Sequence, residues 1–266
     1  MGNLLRDATN WAIRPLNWSL IKQSTPAKIG RVVSMLRPVD GGHSLIRIGG
    51  GADGGYLLPD DLAGITACVS PGVGDSSRFE LDLERRGIKS FLADASVKGP
   101  APEAAHMDFD AKFLGAWTGG DKITLDDWVA SKRSPVTEGD LMLQMDIEGA
   151  EYEVLLAASQ ATLRRFRIIT LELHWFERLG QPAACHLIGS VLEKLAQEFV
   201  PVHLHPNNHA RAVLIAGYKL PPLLEVTYLR RDRCLSMEPR REFPHAADRD
   251  NVVGKPPLAL PSCFYA

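Results

Sequence analysis

The sequence predicts a single α/β domain, with a mostly parallel sheet, helices on both faces and an antiparallel strand pair near the C-terminus. Three observations carry this expectation. From residue 65 onward, short apolar runs alternate with amphipathic segments, the pattern of strand–helix units that cover a parallel sheet. Those runs end on glycines or acids: at Pro71-Gly72-Val73-Gly74-Asp75, at Asp94 and at Asp146. The last two strands are joined by a stretch too short and too rich in proline and glycine for a long crossover helix, so they should pair antiparallel.

Taken in order, residues 1–37 read as a helical arm. Leu4, Leu5, Trp11, Ile13, Leu16, Trp18, Leu20 and Ile21 mix there with Arg6, Arg14 and Lys22, and Pro15 breaks the run. Packing on the main domain, or on a second copy of the chain as a homodimer, is preferred over an interfacial membrane helix. Residues 38–266 form the domain proper. The glycines between Arg47 and Tyr56 call for positive φ or close approach, either in a loop folded over a ligand or in a surface turn. Residues 65–70 make a buried strand. A helix over 76–86 follows, with Ser77 and Glu80 at capping-box spacing, Phe79 and Leu83 on one face, and Gly87 as its C-terminal stop. Residues 88–93 make the next strand, ending at Asp94, and a further strand is expected near 106–113. A short helix over 125–130 is entered through Thr124. Asp140–Met145 is a strand that runs straight into Asp146-Ile147-Glu148-Gly149-Ala150-Glu151 and a helix reaching Ala158. Phe166–Leu173 is a strand ending at His174-Trp175. Leu187, Val191, Leu195 and Phe199 recur every fourth position and define a helix over 183–199, with Pro182 in its first turn. Strands over 200–204 and 223–229 form the antiparallel pair, and the tail after Arg230 reads as surface loop.

Composition narrows the function classes. The 266 residues hold 30 Lys+Arg against 32 Asp+Glu, a formal charge of -2, which speaks against a nucleic-acid partner. Cys68, Cys185, Cys234 and Cys263 show no CxxC pair and no zinc spacing; Cys68 and Cys185 sit in apolar segments as buried thiols, which suits a reduced, cytoplasmic compartment. No run approaches the roughly 18 consecutive apolar residues of a membrane span, so stable membrane insertion is not expected. The N-terminus lacks the build of a secretory signal, and the sequon Asn17-Trp18-Ser19 is therefore read as chance.

Ligands of open parallel sheets sit beyond the carboxyl ends of the strands, which directs attention to the strand ends. Gly72 and Gly74 let backbone approach a ligand closely, next to a helix N-terminus. Asp94, about twenty residues on, is placed to accept the hydroxyls of a ribose. Ser77 stands where the third glycine of a dinucleotide fingerprint would be, so no pyrophosphate cradle is expected. Helix-dipole complementation accounts for Glu148 and Glu151 but not for Asp146, the first polar group after an apolar strand. Asp146 suits a sulfonium, a metal or a substrate hydroxyl. The polar cluster of His203, His205, Asn207, Asn208 and His209 reads as a substrate-binding loop or an Asn-stabilised turn. Convergence of Asp146, Glu172, His174 and His205 would make a cation site, but no metal site is assigned.

Asp146-Ile147-Glu148-Gly149-Ala150-Glu151 resembles the D-[IV]-E-G-[AC]-E signature of FkbM-like S-adenosylmethionine-dependent methyltransferases. Arg47 with Asp53-Gly54-Gly55-Tyr56, Ser70-Pro71-Gly72-Val73-Gly74 with Phe79-Glu80, Thr124-Leu125-Asp126-Asp127, His203 to Asn208, and Glu225-Val226-Thr227 resemble its other segments, over about 45–252. Pro71 departs from the usual first motif. The resemblance implies a Rossmann-like class I methyltransferase sheet and S-adenosylmethionine as cofactor. It implies that Ser70, Gly72, Gly74, Asp94 and Asp146 form the cofactor site, with Asp94 on the ribose and Asp146 beside the reactive methyl. It also implies O-methylation of a sugar, glycan or small-molecule hydroxyl. An alcohol acceptor needs its proton removed; His174 is the first candidate base and Asp146 the second, with Glu148 beside them, and His205, Asn207 and Asn208 are expected on the acceptor. Two other readings remain open. A metal-dependent nucleotide-sugar glycosyltransferase would use Asp146 and Glu148 as a metal-binding pair. A non-catalytic glycan-binding domain would leave Gly72, Gly74, Asp94 and Asp146 without work. A nicotinamide oxidoreductase is disfavoured by the missing glycine.

Overall fold

Alternation of side chains along a central sheet builds the core. The computed structural model describes residues 2–16, 20–74, 76–132 and 139–266; the sequon Asn17-Trp18-Ser19 and Asp75 lie outside them. Helices α1 (Gly2–Ile13) and α2 (Pro26–Ser34) precede an antiparallel pair, β1 (Leu45–Ile48) and β2 (Tyr56–Pro59). Next come β3 (Ile65–Pro71), α3 (Arg78–Glu84), β4 (Lys89–Ala93) and β5 (Asp108–Asp110). A small parallel pair, β6 (Phe113–Leu114) and β7 (Lys122–Ile123), leads into α4 (Leu125–Ser131), β8 (Asp140–Met145), α5 (Glu151–Ala157), α6 (Gln160–Leu163) and β9 (Phe166–Leu173). The chain ends with α7 (Pro182–Leu195), β10 (Phe199–Pro206), the hairpin β11 (Val213–Ile215) and β12 (Tyr218–Leu220), and β13 (Leu224–Arg230).

Among the described residues the main sheet has seven strands in the order β10-β13-β9-β8-β3-β4-β5. The five from β9 to β5 run parallel, while β13 lies antiparallel between β9 and β10. The connection from β10 to β13 holds only the β11–β12 hairpin, as its proline and glycine content required. Strand side chains alternate between two cores. Val69, Leu141, Leu143, Ile169 and Leu171 face α2, α4, α5 and α7; Cys68, Met142 and Ile168 face α3 and the β1–β2 pair. Each fully buried Leu or Ile in these layers contributes about 1.5–3 kcal/mol.

Three expectations are corrected. Ser77 precedes α3 but makes no side-chain cap; Glu80 turns instead to Ser70, so the capping box does not form. Helix α7 stops at Leu195, and Phe199 opens β10. Every-fourth spacing drifts about 40° per step around a 3.6-residue helix, so Leu187 is 39% exposed, while Val191 and Leu195 join Cys185, Ile188 and Leu192 in the buried stripe. The tail is not a free surface loop: Leu260 and Phe264 enter the main core, and Phe264 meets Phe176 at 6.1 Å between ring centroids. Its apolar residues are too widely spaced to form a periodic pattern.

In the N-terminal segment, α2 buries Ile29, Val32 and Val33 in the main core, entered through Thr25, whose side chain accepts the Lys28 N–H. Trp11 and Leu16, by contrast, are 79% and 66% exposed. Among the described residues no helix is long and apolar enough to cross a membrane.

Candidate active site

The carboxyl ends of β3, β4 and β8 open into a cavity of about 810 Å³, bounded by Gly72, Val73, Gly74, Asp94, Asp146, Ile147 and Glu148, with Asp53, Gly54 and Tyr56 from the glycine-rich segment. Arg47 folds that segment back on itself by donating to the carbonyls of Gly50 and Ala52 at 2.7 and 3.0 Å. Gly72 has φ +89°, and a Cβ there would lie 1.8 Å from the Asp146 carbonyl oxygen; its glycine is needed for two strand ends to meet. Gly74 differs: a Cβ there would meet nothing within 4 Å. Asp94 ties the loop down, accepting the Val73 N–H at 3.0 Å, the Ser96 N–H at 2.7 Å and the Ser96 hydroxyl at 2.6 Å. A carboxylate has about four acceptor sites, so about one is left for a ligand.

Asp146 ends β8 and opens a tight turn. Glu148 takes a left-handed φ of 57°, and Gly149, at φ 104°, lies under the Trp175 ring, whose atoms a Cβ would approach to 2.4 Å. Glu151 is not a solvent-facing helix-dipole acid. It is fully buried and accepts the N–H groups of Ile147 at 2.9 Å and Gly149 at 3.2 Å, holding the turn from behind. Its Oε1 also stands 3.2 Å from His174 Nδ1. From the end of β9, His174 aims Nε2 at the same turn, 3.3 Å from Glu148 Oε2 and 3.8 Å from Asp146 Oδ1. The Tyr152 hydroxyl donates to the His174 carbonyl at 2.6 Å and fixes the strand end. Burial opposes charge on the imidazole, but the Glu151, Asp146 and Glu148 carboxylates outweigh it and raise its pKa to about 9. With no other ligand bound, His174 is therefore a cation at neutral pH.

Behind this group, burial pushes both Asp146 and Glu172 upward; the charge of Asp146 raises Glu172 further, because two adjacent carboxylates resist joint ionisation, while His174 and a hydrogen bond with Glu172 pull Asp146 partly back. Asn207 donates to Glu172 Oε1 at 2.8 Å. Ser70 is fully buried, with Oγ 2.6 Å from both Glu80 Oε1 and Gln144 Oε1. Burial raises the Glu80 carboxyl; a neutral Glu80 can donate to Ser70, which then donates onward to Gln144.

The structure thus brings Gly72, Gly74, Asp94, Asp146 and Glu148 onto one cavity, with His174 in contact with two of them. Ser70 reaches it only through Glu80 and Gln144, which line the wall. His205, Asn207 and Asn208 do not line it. His205 faces Asp248 at 3.6 Å, Asn207 supports Glu172, and Asn208 is bonded to the backbone of Val252 at 2.8 and 3.0 Å. Sequence reasoning placed Glu80 beside the first cofactor motif without a site role of its own and missed Gln144, for which a glutamine inside the apolar β8 run was the available signal. Asp146, Glu148 and His174 each offer a ligand atom, all within 4.8 Å of one another, whereas the sequence assigned no metal and His205 stands outside this group.

Residues 121–200 match the family model described as the methyltransferase FkbM domain. The match spans β8, α5, β9 and α7, and so includes Asp146, Glu148, Glu151 and His174. No curated protein matches the chain.

Proposed function

We propose that this chain, whose residues 121–200 match the FkbM methyltransferase domain, is a methyltransferase that binds S-adenosylmethionine in the large cavity and methylates a hydroxyl of a sugar, glycan or other small molecule. The observation that carries the reading is the joint presence of Gly74, Asp94 and Asp146 around one cavity at the carboxyl ends of β3, β4 and β8. Its volume of about 810 Å³ is in the range of cofactor sites. The antiparallel β13 between β9 and β10 also supports a class I methyltransferase sheet.

The residues present fit the cofactor. Gly74 leaves open space on the cavity side, Asp94 offers acceptor capacity for a ribose hydroxyl, and Phe113, Leu114 and Ala93 give an apolar wall suited to a flat base. Asp146 Oδ1 is shut from solvent and receives no N–H or alcohol hydrogen bond among the described residues, as a group awaiting a ligand would be. S-adenosylmethionine supplies a methyl group with its own leaving group, so alignment provides much of the rate. The protein must hold the acceptor oxygen in line and remove its proton. The bound cofactor would supply the methyl group with sulfur as its leaving group, and Asp146 would take up the proton of the acceptor hydroxyl. His174, first in line for that task by sequence, already carries a proton at neutral pH and instead steadies the Asp146 carboxylate.

Calorimetric titration with S-adenosylmethionine and S-adenosylhomocysteine tests this. The protein should bind both, and Asp94→Ala should weaken binding at least tenfold, about 1.4 kcal/mol. A folded protein that binds neither would refute the reading.

A further inference from the structure

We propose that Asp146, Glu148 and His174 form a binding site for one first-row divalent cation, with manganese or zinc favoured over magnesium. Three ligand atoms around such an ion, each about 2.0–2.2 Å from it, stand roughly 3 to 4 Å apart. His174 Nε2 lies 3.3 Å from Glu148 Oε2 and 3.8 Å from Asp146 Oδ1, so two of the three separations already have that size, and the three residues offer ligand atoms all within 4.8 Å of one another.

Two further observations point to an absent ligand. Asp146 Oδ1 is a buried oxygen that receives no N–H or alcohol hydrogen bond among the described residues, and the carboxyl hydrogen-bonded to Asp146 is that of Glu172. His174, with a side chain only 7% exposed, uses Nδ1 toward Glu151 and the Glu172 carbonyl, while Nε2 has ionic contacts with the two other ligands and no hydrogen bond. Glu151 behind the ring is the outer carboxylate that metal-bound histidines commonly use to fix their tautomer, and it is itself locked by the Ile147 and Gly149 amides. On binding, the cation takes the place of the Nε2 proton. One imidazole and two carboxylates suit a first-row transition ion or zinc; magnesium prefers oxygen ligands alone.

Asp146 and Glu148 line the large cavity, so the open coordination positions face it. Only the next ligand rests on the methyltransferase reading: an acceptor hydroxyl bound there would become more acidic, and in the metal-loaded protein solvent would take the proton that Asp146 takes in the metal-free one, because Asp146 would then serve as a ligand.

The test uses the full chain, stripped of metal with a chelator. Manganese chloride is titrated in while the electron paramagnetic resonance signal of the free ion is followed, and magnesium and zinc chlorides are titrated by calorimetry. One equivalent of manganese should bind, at least tenfold tighter than magnesium. His174→Ala and Glu148→Gln should each weaken it at least tenfold; Glu148 has a 90% exposed side chain, so its change leaves the fold intact. No saturable manganese binding up to about 1 mM, or wild-type affinity in either variant, overturns the proposal. Titrating S-adenosylmethionine into the same samples separates the two readings. Metal binding without cofactor binding supports the cation site and removes the methyltransferase reading; cofactor binding without metal binding does the reverse.

Discussion

Gly72 and Gly74 are two residues apart on one loop, yet adding a methyl group to each should give different results. At Gly72 an alanine must hold φ near +89°, a strain of about 1–2 kcal/mol for an L-residue. Its Cβ would also sit 1.8 Å from the Asp146 carbonyl oxygen, a backbone atom that can yield only if the end of β8 moves. Forcing such a shift adds about 1–3 kcal/mol. Gly72→Ala should therefore lose about 2–5 kcal/mol, lowering the melting temperature by roughly 5–15 °C for a chain of this size, and should displace Asp146. At Gly74 the added methyl meets nothing within 4 Å and the φ is ordinary, so Gly74→Ala should melt within a degree or two of the wild type. If the cofactor lies against this loop, the same methyl should nonetheless cut S-adenosylmethionine affinity. Thermal melts and calorimetry of both variants decide it. A Gly72→Ala protein as stable as wild type would refute the packing argument; a Gly74→Ala protein with unchanged affinity would remove the cofactor from this side of the cavity.

Two further predictions concern charge. Burial raises the Glu225 carboxyl to about 7, with His205, Asn251 and Arg47 pulling it down and Asp53 pushing it up. The folded protein thus binds this proton more tightly than the unfolded chain; the associated stability is complete below about pH 4.3 and is lost as pH rises through 7, a change on the order of 3 kcal/mol. Glu225→Gln should flatten that part of the stability–pH curve in urea titrations at pH 5 and 8, and an unchanged slope would contradict it. Asp140 accepts from Arg167 at 2.8 Å and from Arg230 at 2.7 Å, and Arg167 is only 7% exposed. Asp140→Ala leaves that guanidinium short of charge and should cost about 3 kcal/mol in urea unfolding; a loss under about 1 kcal/mol would mean that Asp61 and the neighbouring carbonyls suffice.

The central strands β3, β4, β8 and β9 were legible because each is an apolar run ended by a residue that breaks the pattern, whereas β1 and β2, beside the glycine-rich segment, were not. Asp140–Met145 and Phe166–Leu173 match expectation residue for residue. So was Thr124, whose side chain accepts the Asp127 N–H at the start of α4. Side-chain partners were less legible, because they depend on which strands become neighbours. Ser77 and Glu80 have capping-box spacing, but Glu80 is drawn to Ser70 once β3 and α3 pack together. Glu151 has the position of a helix-dipole acid, but the left-handed Glu148 and Gly149 bend the chain so that it faces amide groups and His174. Linear spacing carries no information about either turn.

Strand register also explains why the site's electrostatics extend beyond its cavity. Across β10, β13 and β9, His205 stands opposite Glu225 and Glu225 opposite Glu172. Glu172 in turn interacts with Asp146, so a row of buried titratable groups crosses the sheet to the cavity wall. Neighbouring buried carboxylates cannot all ionise, and burial alone already drives Glu225 and Glu172 toward their neutral forms. Asp248, held well below the usual carboxylate range despite its burial by hydrogen bonds from His203 and His205, supplies negative charge at the far end of the row. At the near end, the buried Oδ1 of Asp146 meets His174 and Glu148 where the protein opens to the cavity. The tail that carries Asp248, and the Asn207 that supports Glu172, therefore act on the site without touching a ligand: they help set the charge that Asp146 carries when a cation or an acceptor hydroxyl arrives.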